Sequence, residues 1–156
     1  MAEANAARFD EALCIPQSVL LDSMRCWRAA RESGAARKPC LYQTLAPYRL
    51  EILAPVFDSL MTIFETSLKP CISSGEDGHP SADENALLGM LIDPASAKSH
   101  IARPEEDLAL LECALLSTRL MMEHASAGVS RGRQKQQKIH ATRANSASLR
   151  DQTVMR

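Results

Sequence analysis

Between Leu108 and Met122, eleven of the fifteen residues are apolar, and as a helix they would cover most of its circumference. A surface helix of a monomer keeps one apolar stripe and one wet face. A helix that is greasy most of the way round is enclosed by other helices or covered by a second subunit. The run is shorter than the ~20 residues a membrane span needs, and it contains Glu112 and Arg119. Composition supports the helical reading. Ala (23) and Leu (19) far outnumber Val (4), Ile (7) and Thr (6), and it is the β-branched residues that lose side-chain freedom in a helix. The expectation is an all-α fold: a compact bundle of about four helices, centred on this last one, with a disordered basic C-terminal tail.

Local signals place the helices. Pro16 suits a first helical turn because its missing N–H would be unpaired there anyway. Leu20, Met24, Trp27 and Ala30 follow on one face, and Gly34 stands where a left-handed cap ends the helix after Ser33. Ala35 to Cys40 reads as a linker. From Leu41 to Leu68 the apolar residues step by three or four, with Pro47 and Pro55 interrupting. Each proline removes a donor and clashes with the preceding turn. The reading preferred is a short turn, then a helix from Pro47 with a bend near Pro55. Pro70 to Pro80 is a loop. Ser81-Ala-Asp-Glu84 has the form of a capping box, opening a helix that Asp93–Pro94 stops at Ile92. A single turn is expected around Ala97 to Ile101. The last helix starts at Pro104, with Glu105, Glu106 and Asp107 at the positive end of its dipole.

Charge divides the chain. Residues 130–156 carry seven Lys and Arg against Asp151, a net +6, whereas the whole chain is −1. After Gly128 the composition turns to Arg, Lys, Gln, Ser and Asn, which predicts disorder or a loose helix at best. Three parts result: a flexible arm over 1–15, a helical domain over 16–128 and the basic tail over 129–156. The first ten residues lack the basic-then-apolar pattern of a secretory leader. The five cysteines (14, 26, 40, 71, 113) are odd in number and widely spaced, with no C-x-x-C. That spacing is unlike a disulfide scaffold and suggests a reducing, cytoplasmic setting.

Catalytic and cofactor chemistry finds no pattern. There is no G-x-S-x-G elbow and no cysteine in a recognisable catalytic setting. Cys113, on the greasy helix, reads as a small buried hydrophobe. Glu76, Asp77, His79, Asp83 and Glu84 form a dense acidic stretch without calcium-loop alternation or paired histidines, and a solvated loop accounts for it. Gly75 and Gly78 have no preceding strand and no Walker lysine. A helix-turn-helix would aim Glu105, Glu106 and Asp107 at phosphates, against the electrostatic term that dominates DNA affinity. No cofactor is expected. An enzyme would need Glu51, Glu65 or His124 to meet in a cleft.

Three surfaces carry the functional expectation. Leu108, Leu111, Leu115 and Met122 offer an interface to a protein partner or to a second copy, making the chain a non-catalytic regulatory or adaptor protein. Arg131, Arg133, Lys135 and Lys138 offer weak, sequence-blind contact with nucleic acid. The tail has no aromatic residue on which bases could stack. Trp27, Tyr42 and Tyr48 could line a ligand pocket, or fill the core between the first two helices.

Overall fold

The computed structural model describes residues 13, 15–67, 79–100 and 105–151, with the side chains of 100 and 129–151 left aside. These residues are mostly helical, and no strand occurs among them. Helix α1 spans Gln17–Glu32, with Pro16 as its N-cap. Gly34 adopts φ 69°. Its N–H donates to the Arg31 carbonyl at 3.2 Å, and the Ala35 N–H donates to the Ala30 carbonyl at 2.8 Å. This is the paired Schellman closure anticipated from the glycine.

The turn is so tight that α2, Arg37–Leu45, starts within the stretch read as a linker. Pro39 falls in its first turn, where proline is tolerated. Folding α2 back along α1 brings Cys26 and Cys40 together as a disulfide, with their Cα atoms 6.2 Å apart. Sequence spacing missed this pair because proximity follows from the hairpin, not from a cysteine motif. Cys71 lies outside the described residues.

Pro47 and Pro55 separate two helices and do not bend one. After α2 the chain makes a 3₁₀ turn over Ala46–Tyr48, enters the left-handed region at Arg49 (φ 60°, ψ 37°), and makes a second 3₁₀ turn over Glu51–Leu53. Helix α3 then runs Ala54–Ser67, with Pro55 in its first turn. A left-handed non-glycine residue costs roughly 1 kcal/mol, and Leu50 anchors the corner by burying its side chain at 4% exposure.

Helix α4, Ala82–Ile92, opens on the expected capping box. The Ser81 Oγ accepts the Glu84 N–H at 3.1 Å, and the Glu84 carboxylate accepts the Ser81 N–H at 2.8 Å. Asp93 ends it and caps the 3₁₀ turn Pro94–Ser96 through the Ala95 N–H. A single turn, α5 (Ala97–His100), leads to α6, Glu105–Asp151. As far as Asp151, the basic segment expected to be disordered therefore continues as helix, and residues 152–156 lie outside the described residues. Its Ala, Gln, Lys and Arg residues are good helix formers, and extending an existing helix avoids the cost of nucleating a new one.

The core is centred on Trp27, Phe57, Phe64, Leu20, Leu53 and Leu60, all essentially inaccessible to solvent. Leu13 and Ile15, placed in the flexible arm by the sequence reading, join this core at 2% and 1% exposure. Helix α1 packs on α2, α2 on α3 and α3 on α6, while α4, α5 and the 3₁₀ turns Glu51–Leu53 and Pro94–Ser96 cover further parts of α6. The last helix is thus an edge of the bundle and not its centre. The aromatic side chains of α1 and α3 fill the middle instead.

Candidate functional site

Two polar clusters lock the helices. In the first, the Trp27 indole N–H donates to Asp58 Oδ1 at 2.9 Å, and the Arg37 Nε lies 3.2 Å from the same oxygen. The guanidinium carbons of Arg31 and Arg37 stand 5.9 and 5.3 Å from the Trp27 ring centroid, within cation–π range. Arg31 also pairs with Glu65. In the second, Arg25 grips Glu84 with two nitrogens at 2.9 and 3.2 Å and reaches the His79 carbonyl at 3.2 Å. The hydrogen bond to Glu84, followed by its charge, holds the Arg25 guanidinium above its ordinary pKa, although burial opposes this. Both clusters consist of groups that satisfy one another, and they join α1 to α2, α3 and α4.

This accounts for the aromatic residues. Trp27 is fully buried and belongs to the core, whereas Tyr42 and Tyr48 are each 44% exposed on the surface. Glu65, considered for catalysis, is occupied by Arg31, and His124 is exposed. Glu76 and Asp77 lie outside the described residues. Among the described residues, no group of His, Cys, Asp and Glu is placed to hold a metal, and no helix is long and apolar enough to cross a membrane.

Among the described residues, three exposed leucines lie on α6. Leu111, Leu115 and Met122 are 0% exposed and are used within the chain, and Leu108 packs partly buried against the same core. Thr118 joins this inner face, its hydroxyl donating to the Ala114 carbonyl at 2.7 Å. The opposite side carries Leu116 and Leu120, at 52% and 59% exposure, and Leu110, at 56%, stands on the flank towards α3. Cys113, expected to be buried, is a free and exposed thiol on that side. A groove of about 220 Å³ runs along one edge of this face. Val56, Ser59 and Ile63 of α3 form one wall, and Leu110, Cys113 and Ser117 of α6 form the other. Its lining holds no charged group, and it is smaller than the ~300 Å³ at which small-molecule pockets begin. It suits the tips of apolar side chains better than a metabolite.

The side chains that the sequence reading offered as an interface, Leu111, Leu115 and Met122, are instead used in the core, and the exposed leucines are others on the same helix. The signal was weak because leucines occupy both faces, so periodicity alone does not mark which one turns inward. Arg131, Arg133, Lys135 and Lys138 fall on the C-terminal part of α6, beyond the residues whose side chains are described. No family model, curated protein or solved structure matches this chain.

Proposed function

We propose that the protein is a non-catalytic helical module that works through protein–protein contact on the outward face of α6. One observation carries this reading: Leu110, Leu116 and Leu120 are more than half exposed on a single helix, beside an uncharged groove. Scattered exposed leucines need no explanation, but several along one helix with an adjoining groove mark a contact surface. The test is a photo-reactive amino acid placed at position 116 or 120 in living cells. Discrete adducts of defined mass are expected from both positions and not from position 42, on the surface of α2. An absence of adducts from 116 and 120 would remove the reading.

The net +6 of residues 130–156 supports a second reading, contact with nucleic acid. It would appear as salt-sensitive binding to DNA of random sequence, weakened about tenfold or more by Arg131→Glu with Arg133→Glu. Equal binding by the wild type and the double variant ends that reading.

A further inference from the structure

Helix α6 is 47 residues long, or about 70 Å at 1.5 Å per residue. Its charge is polarised along that length. The first turn holds Glu105, Glu106 and Asp107, and the stretch 130–138 holds Arg131, Arg133, Lys135 and Lys138. The exposed leucines lie between these ends. Read along its axis, the helix is acidic, then apolar, then basic.

We propose that the occupant of the outward face is a second copy of this chain, laid antiparallel along α6 with a two-fold axis at the level of residue 118. The proposal rests on the reading of α6 as a docking face and names its partner. A two-fold interface must be self-complementary, with each position i meeting some j while j meets i. Around residue 118, position 116 meets position 120 of the other copy, which sets leucine against leucine. Position 105 meets position 131, each about 20 Å from the axis, which sets Glu105 of each helix beside Arg131 of the other, with Arg133, Lys135 and Lys138 continuing beyond that pair. A parallel pair would instead put like charges together at both ends. Antiparallel packing also opposes the two helix dipoles. An unrelated partner would require no such match between the two ends of one helix. The groove between α3 and α6 adjoins the leucines and can receive a side chain of the second copy.

The full-length protein is tested by sedimentation equilibrium up to about 100 µM, where even a weak micromolar dimer would be populated. A dimer is expected, and Leu116→Glu with Leu120→Glu should weaken it about a hundredfold, since buried apolar anchors dominate interfaces. The exposed site leaves the fold intact, which circular dichroism verifies, and Tyr42→Glu on α2 should leave the dimer unchanged. Glu105→Lys with Glu106→Lys should weaken association about fivefold, the range for exposed ion pairs. Adding Arg131→Glu and Arg133→Glu to that variant should restore it.

A carbodiimide cross-link from residues 105–107 to Lys135 or Lys138 reports direction. Within one helix these positions are at least ~42 Å apart, so such a link must join two copies. A monomer at every concentration overturns the proposal. So does a dimer that survives both leucine substitutions, or one that yields no such cross-link. Adducts of foreign mass in the photo-labelling experiment, beside a monomeric chain, would retain α6 as a docking face and reject only the second copy. No adducts at all would reject both.

Discussion

Trp27→Ala should lower the unfolding free energy by about 4 kcal/mol, within the range for deleting a large buried aromatic. Trp27 is 0% exposed at the centre of the core, so the substitution leaves a cavity that α1, α2 and α3 all line. It also removes the donor that Asp58, 8% exposed, receives at 2.9 Å, and the ring over which Arg31 and Arg37 stand. Trp27→Phe separates these effects. It keeps most of the apolar volume and loses the indole N–H, so it should cost about 1–2 kcal/mol. Against total domain stabilities of about 5–15 kcal/mol, the alanine variant should lose a large fraction of its stability and the phenylalanine variant a much smaller one. Urea titration followed by circular dichroism measures both. A loss below about 1 kcal/mol for Trp27→Ala would contradict its place in the core, since only surface substitutions are that mild.

The second large effect concerns Arg25 and Glu84, and it is asymmetric. Glu84 is 3% exposed, whereas the Arg25 side chain is 30% exposed. Arg25→Ala takes from a buried carboxylate the guanidinium that meets both of its oxygens, while the Ser81 N–H remains. A broken buried pair of this kind costs about 3–4 kcal/mol. Glu84→Gln leaves the solvent-accessible partner, which water can serve, and keeps an acceptor for the Ser81 N–H. It should cost about 2 kcal/mol, discounted for the exposure of Arg25. Chemical denaturation of both variants tests this. Equal losses for the two substitutions would mean that burial does not govern the pair.

Much of the local architecture was legible because its causes are local. Proline at 16 starts α1, glycine at 34 closes it, Ser81 and Glu84 cap α4, and Asp93–Pro94 stops it. Each depends on hydrogen bonds or steric limits acting within about five residues, and the residue types alone specify them. The helical class was legible for the same reason, since propensity is a property of each residue. The Pro47–Pro55 segment was ambiguous because a proline can bend a helix or end one, and its neighbours decide which. Here Leu50 is drawn into the core, and the chain turns at Arg49 to deliver it.

What the sequence determined by itself was an all-helical chain, the ends of α1 and α4, and a last helix with more apolar surface than one face can use. Tertiary structure decided which leucines of α6 are inside, that Trp27 is anchored by Asp58 thirty-one residues away, and that Cys26 meets Cys40. Burial depends on what comes to lie opposite a side chain, and that is set by how helices cross. With leucine on both sides of α6, either face could have turned inward. Packing on α3 selected Leu111, Leu115 and Met122 and left Leu110, Leu116 and Leu120 to the solvent.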